Sequence, residues 1–336
     1  MTSTGSELLG MPDVVMDRIL EHSDFRSIFT LRNVCKSLRH LIDKKKPDVK
    51  LPTLRLLATF DGFTLEIGST ILKYRNSNRI YFQSKPDPAK TILLEKPIEM
   101  FLEDVGRLLD HHKSELPFLD IAVRYMRYTS EYSKIIDFLQ QKLGSRARPL
   151  KVLSLRMSAM DQSQVMRILG NLDSQKIQEI GIQYTLIDAF GGQPVHLEID
   201  QILNLEQFKN AKKLDLSAFT VNSKVENFIH FDEVNIHLRA TSTEDLVKLF
   251  EAFLSANSTK RIFKVRYDSY PFRELDQFIS QMGTSLSAEE GLNWYIQTKN
   301  HPESVLHVIY KQFYQRISFT RIPHSSIPPF AVIQNW

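Results

Sequence analysis

The 336-residue sequence has one cysteine, Cys35, so no internal disulfide can form and a stapled secreted scaffold is excluded. No apolar run approaches the roughly 20 residues that span a bilayer. The opening MTSTGSELLG lacks the basic start and long apolar stretch of a signal peptide. These absences predict a chain of the cytoplasm, the nucleus or both, with no membrane contact. Charge of one sign is also scarce: 43 basic side chains against 39 acidic ones leave a net +4, interspersed, which predicts no nucleic-acid binding. Glycine-rich phosphate loops, paired zinc-ligand spacings and the nucleophile elbow are missing, so no catalytic residue, cofactor or metal is expected. A composition of 42% hydrophobic and 24% charged residues is that of a globular chain, long enough for two or three domains with a large core.

The most informative stretch is Leu8–Asp43, LLGMPDVVMDRILEHSDFRSIFTLRNVCKSLRHLID. Pro12 sits where a helix begins, a place that tolerates a residue without an amide hydrogen. Val15, Met16, Ile19 and Leu20 then share one helical face, with Asp13, Asp17, Arg18 and Glu21 on the other. After His22-Ser23-Asp24, a second stripe repeats through Ile28, Leu31, Val34, Cys35, Leu38, Leu41 and Ile42. Cys35 is read as packing on that stripe. So short a block cannot bury two stripes in a core of its own, which points to a docking module whose apolar surface partly faces a partner. Lys44, Lys45 and Lys46 come next, as a solvated helix end suited to the negative pole of the helix.

These residues resemble the F-box, through Met11-Pro12, Ile19-Leu20, Arg32-Asn33-Val34-Cys35, Leu38 and Leu41-Ile42. Met11 replaces the usual leucine and Leu38 the usual tryptophan. The resemblance implies a three-helix motif over residues 8–46 that binds a Skp-type adaptor and, through it, a cullin. Pro12, Val15, Met16, Ile19, Leu20, Ile28, Leu31, Val34 and Leu38 would divide between helical core and adaptor contact.

From 51 to 96 the pattern becomes short alternating runs, the mark of an antiparallel β meander that connects the module to the rest of the chain. Phe63, Leu65 and Ile67 alternate with Thr64 and Glu66; Asn76-Ser77-Asn78 reads as a hairpin leading to Ile80-Tyr81-Phe82, and Pro86 with Pro88 marks the next turn.

Residues 97–322 carry an irregular apolar triplet: Leu116, Leu119, Ile121; Leu150, Leu153, Leu155; Ile177, Ile180, Ile182; Ala211, Leu214, Leu216; Phe231, Val234, Ile236; Ile262, Val265, Tyr267; and Tyr314, Ile317, Phe319. Helical patterns lie between many of them, as in Ile135, Ile136, Leu139, Leu143; Val165, Ile168, Leu169; and Leu246, Leu249, Phe250, Phe253, Leu254. The last opens with Ser242 and Asp245, a variant capping box. Strand and helix in alternation predict a largely parallel sheet, and a period of roughly 20 to 35 residues without a phosphate loop favours an irregular α/β, leucine-rich-repeat-like solenoid. The fold class is therefore α+β and multi-domain: three-helix F-box, β meander, solenoid.

From about Leu150 to Ile322 the chain also resembles the FTH domain that follows F-boxes in a family expanded in nematodes. LEQFKNAKKLDL (Leu205–Leu216), IHFDEVNIHL (Ile229–Leu238) and STEDLVKLFEAFL (Ser242–Leu254) carry that resemblance, with Trp294, His301-Pro302, Val305-Leu306 and Ile317-Ser318-Phe319 closing it. Phe208 stands where tryptophan is commoner. The resemblance implies a domain that selects a client protein.

Other motifs are read as structural. His111-His112 with Glu115 is the nearest approach to a metal cluster, and adjacent helical histidines diverge by about 100°, so they are taken as exposed helix residues. Gly191-Gly192 in DAFGGQP reads as a flexible connection, most of the aromatics as core, and Pro323, Pro328 and Pro329 in the 323–336 tail as extended chain.

Together these readings describe a non-catalytic substrate receptor of a Skp-cullin-F-box ubiquitin ligase. The alternative is an F-box scaffold or decoy that binds partners without promoting ubiquitin transfer. Ser154, Gly181, Asp215 and Asn235, the residues between core triplet members, would face the accessible side and contact the client.

Overall fold

The computed structural model describes residues 10–59, 61–76, 90–123, 129–184, 195–255, 261–269, 278–279, 282–283, 285–288, 291–297 and 301–335. The chain divides into two compact units, Met1–Arg156 with Asn171–Lys176, and Met157–Gly170 with Ile177–Trp336. No described helix is long and apolar enough to cross a membrane.

The N-terminal unit opens with three helices: α1 (Asp13–His22), α2 (Phe25–Val34) and α3 (Lys36–Lys45). The Pro12 carbonyl accepts from the Val15 and Met16 amides at 2.9 and 3.1 Å, so the missing proline N–H costs nothing at the start of α1. Asp24 caps α2 by accepting from the Ser27 amide at 2.8 Å. The second apolar stripe is thus two helices rather than one. Its break is Cys35, extended at φ −156° and ψ 166°, whose Sγ accepts from the Leu38 amide at 3.5 Å and caps α3. Cys35 is half-exposed, so beside its packing on the stripe it serves as the cap of α3.

Ion pairs fasten these short helices. Arg32 on α2 donates to both Asp43 oxygens on α3, at 2.7 and 2.9 Å, a bidentate fork. Lys45 bridges Asp13 (3.2 Å) and Asp17 (2.7 Å) on α1, while Lys46 closes α3 in the left-handed region at φ 45°.

Next come β1 (Leu54–Thr59), β2 (Gly62–Ile67) and β3 (Thr70–Asn76), an antiparallel meander as expected. It forms part of a larger mixed sheet, because β4 (Lys90–Leu94) runs parallel to β3 and β5 (Leu116–Val123) parallel to β1. Gly62 is required: its φ is +144°, and a Cβ there would lie 2.1 Å from the Tyr74 carbonyl oxygen. Helix α4 (Pro97–His111) packs on β2 and β3, with Phe101 stacked on Phe63 at 5.4 Å and edge-on to Tyr74 at 5.6 Å. The buried Tyr74 hydroxyl donates to Asp104 at 2.6 Å. In α5 (Thr129–Gly144), Ile135, Ile136, Leu139 and Leu143 form the buried face that their spacing predicts. Beyond Asn76, the last residue of β3, the expected hairpin and the Pro86–Pro88 turn lie outside the described residues.

The boundary between the units falls within β6 (Val152–Ala159). The C-terminal unit continues through α6 (Gln162–Leu169), β7 (Glu179–Tyr184), β8 (Val195–Leu197), α7 (Glu206–Asn210), β9 (Lys213–Val221), β10 (Glu233–Ala240), α8 (Thr243–Leu254) and β11 (Ile262–Ser269). Strands β7, β9, β10 and β11 pair parallel in that order, as the triplets predict. The Ser242–Asp245 capping box at α8 is present in both directions, at 3.1 and 3.0 Å. Phe208 is fully buried, edge-on to Phe231 at 5.0 Å, and so keeps the packing role expected of it.

The repeat then stops. β12 (Leu286–Ala288), β13 (Gly291–Gln297), β14 (Ser304–Lys311) and β15 (Arg316–Pro323) are antiparallel neighbours, and β15 is antiparallel to β11. The last triplet therefore belongs to no repeat: Ile317 and Phe319 are core residues of an antiparallel strand, and Tyr314 is exposed in a turn. No helical crossover separates β14 from β15, and a short turn can only return the chain antiparallel. The fold is α+β, and its parallel strands do not extend into a long solenoid. The tail also differs from a free extended chain, since β16 (Ile333–Asn335) pairs parallel with β13.

Candidate functional site

The nine residues assigned to the docking module separate by environment. Met16, Leu20, Ile28 and Leu38 are buried, joined by Ile42, and form the core of the three helices. Ile19 and Leu31 are half-buried. Pro12, Val15 and Val34 are exposed, Val34 to 58%. Two further apolar side chains are left in solvent: Met11, and Val14 at 72% exposure. Sequence reasoning missed Val14 because it falls off the core stripe, and periodicity marks what packs inward rather than what is kept for a partner. Exposed apolar side chains on a small helical module are the chemistry of protein docking.

The module is anchored within its unit. Arg26 donates to Thr70 and Ser69 in the β2–β3 turn region at 2.6 and 3.0 Å, and the Val49 amide donates to the His111 carbonyl at 3.2 Å.

In the C-terminal unit, Gly181, Asp215 and Asn235 are register partners on β7, β9 and β10. Their neighbours Ile180, Ile182, Leu214, Leu216, Val234 and Ile236 are buried, so the strands present a core face and an accessible polar face. Asp215 is exposed, and Gly181 and Asn235 are half-exposed. A depression of about 250 Å³ lies over Asp215 and Asn235, with Lys213, Glu233 and Lys264 beside them. Lys213 and Glu233 pair across it at 3.1 Å. Ser154, the fourth position, lies half-buried on β6 within the N-terminal unit.

One reading is corrected outright. His111 and His112 are not exposed helix residues: their exposures are 4% and 0%. His111 ends α4 with its ring edge-on to Phe29 at 6.1 Å, and His112 Nδ1 accepts from the Leu51 amide at 3.3 Å. Burial pushes both imidazoles below the usual histidine range, partly offset by Asp43 near His111 and Asp48 near His112. Glu115 instead pairs with Lys176 at 2.6 Å. Among the described residues, no group of three or more His, Cys, Asp or Glu side chains could hold a metal ion. The Gly191-Gly192 connection lies outside the described residues.

The family comparisons match these two regions. Residues 8–50 fit the F-box domain and residues 133–279 the FTH domain. The chain is an F-box protein with a C-terminal FTH domain. No curated protein and no solved structure matches the chain. The F-box match covers all three helices α1–α3, and it indicates an adaptor-binding role in a Skp-cullin-F-box ubiquitin ligase, whose F-box subunits are generally non-catalytic. The FTH match begins at α5 and takes in β7, β9, β10, α8 and β11; the closing Trp294–Phe319 pattern lies beyond it.

Proposed function

We propose that this F-box protein is the substrate-recognition subunit of its ligase: the F-box binds the Skp-type adaptor and through it the cullin, and the C-terminal unit captures a client protein. The observation that carries the reading is the division of labour in side-chain exposure. The F-box leaves Met11, Val14, Val15 and Val34 unburied, as an adaptor contact requires, whereas the face at Asp215 and Asn235 is accessible and of mixed charge. Polar, mixed-charge surfaces select partners by complementarity more than by raw affinity. Catalysis would be by proximity, the receptor raising the effective concentration of client lysines near a ubiquitin-charged enzyme. We place this work in the cytoplasm, the nucleus or both, a reading supported by the lone cysteine.

Reconstitution tests it. The full chain is assembled with adaptor and cullin, and proteins that co-purify are compared with those that accumulate when the chain is depleted. A client should be present in both sets and should be ubiquitinated by the assembled complex. Adaptor binding with no protein that meets both conditions would replace this reading with the scaffold or decoy.

A further inference from the structure

A cavity of about 480 Å³ opens in the N-terminal unit beside the C-terminal ends of α3, α4 and α5. Its volume lies in the range of small-molecule sites and is far more than one ordered water needs. Its charge is one-sided. Lys46, Lys113, Arg146, Arg148 and Lys151 line it against a single carboxylate, Asp110, which Lys142 already holds at 2.6 Å. Arg146 is committed to the structure, since its guanidinium donates to the Leu109 carbonyl and, at 2.7 Å, to that of His112. The side-chain cations of Lys46, Lys113, Arg148 and Lys151 have no ion pair among the described residues. A chain with a net charge of only +4 thus gathers around one cavity four cations that make no ion pair among the described residues.

His112 stands at the inner edge of this region. The residue is wholly buried and is among those around the same cavity, with its carbonyl accepting from Arg146. Because Nδ1 accepts from the Leu51 amide, the neutral ring carries its proton on Nε2. That Nε2–H meets no hydrogen-bond partner among the described residues.

We propose that this cavity binds a small organic anion bearing at least two phosphate groups, held among Lys46, Lys113, Arg148 and Lys151. Phosphate fits because each group carries about −1.5 to −2 charges and several acceptor oxygens. Two such groups balance four cations, where one would leave the cavity positive. A ligand on this side of the F-box would brace the ends of α3, α4 and α5 together.

The test is titration calorimetry of the full chain with inorganic pyrophosphate as probe, beside a doubly phosphorylated serine peptide. Pyrophosphate should bind at submillimolar concentration, and Arg148→Ser with Lys151→Ser should weaken it by about tenfold, the loss of two partly solvated charge contacts. Arg148 makes no ion pair among the described residues and Lys151 acts on Glu115 only through longer-range attraction, so the melting temperature should move little; Lys113→Ser gives a second, independent loss. Absence of pyrophosphate binding at millimolar concentration would overturn the proposal. So would an affinity indifferent to these substitutions, or binding of the peptide alone, which would make the cavity a protein contact.

Discussion

Asp215 and Asn235 stand side by side on β9 and β10, with the Asn235 amide 3.4 Å from each Asp215 carboxylate oxygen. Asp215 also accepts from the Ser217 amide at 2.9 Å and the Ser217 hydroxyl at 2.6 Å, next to the irregularity where the β9–β10 register shifts. The two residues are therefore unequal. Asn235→Arg should leave the melting temperature unchanged, whereas Asp215→Arg should cost about 1 kcal/mol by freeing the Ser217 donors. Together they should abolish client capture and spare adaptor binding. Undiminished co-purification of a client with a folded double variant would remove this face from the mechanism.

The residue beneath is the control. Leu214 is buried on the core face, and Leu214→Ala should destabilise the C-terminal unit by roughly 2 to 5 kcal/mol through the cavity it leaves. Chemical denaturation of this variant and of Asn235→Ala should rank them far apart; equal stabilities would mean that the accessible and core sides have been assigned the wrong way round.

In the F-box, exposure separates contact from core. Val14→Asp and Val34→Asp place charge on side chains already in solvent, so they should leave folding intact and weaken adaptor binding by about tenfold or more, the effect of losing an apolar anchor. Ile28→Asp should instead unfold the helices, because a buried carboxylate there has no counter-charge. Half-buried Ile19→Asp should show both effects. Circular dichroism and a binding titration on the same samples distinguish them, and full adaptor affinity in the Val14 and Val34 variants would move the contact elsewhere on the module.

What was legible in the sequence was whatever depends on local spacing. The apolar period marks the buried faces of α5, α6 and α8, the Ser242–Asp245 pair announces a helix start, and the triplets foretell β7, β9, β10 and β11. What was not legible depends on partners distant in sequence. His111 and His112 look exposed by helical position but are covered by segments more than sixty residues away, including Leu51. Cys35 is apolar by spacing, yet its backbone is extended because two short helices fold back on each other there. The seventh triplet matches the pattern on β15, where strand direction is fixed by the brevity of the preceding turn.

Buried histidines give the N-terminal unit a specific pH response. Burial lowers the folded-state pKa of His111 and His112, so the unfolded chain takes up their protons first as pH falls. The stability they confer is complete above about pH 6.5, the ordinary histidine value, and is lost as pH falls through it toward the lowered folded values. The slope approaches about 1.4 kcal/mol per pH unit for each histidine. Asp43 and Asp48, whose pKa values are also lowered, act in a separate window below the ordinary carboxylate value. Denaturant midpoints between pH 7.5 and 5.5 should fall for the native chain and fall less steeply for His112→Gln. Identical slopes would show that His112 binds its proton equally well in the folded and unfolded chain.

Leu38 occupies the position where the F-box pattern has tryptophan, and it is buried to 2% exposure among the three helices. Its backbone amide is the donor that Cys35 Sγ caps, so the start of α3 is fixed and cannot slide to admit a larger ring. Leu38→Trp should therefore overpack this core and cost about 1 to 3 kcal/mol, seen as a lower melting temperature. The exposed Met11, Val14, Val15 and Val34 are untouched by the change, so below the transition the adaptor affinity should hold within about twofold, a difference of roughly 0.4 kcal/mol. A higher melting temperature would reveal space beside Leu38 that the tight burial denies. A large loss of affinity in the folded variant would show that Leu38 positions the docking surface as well as filling the core beneath it.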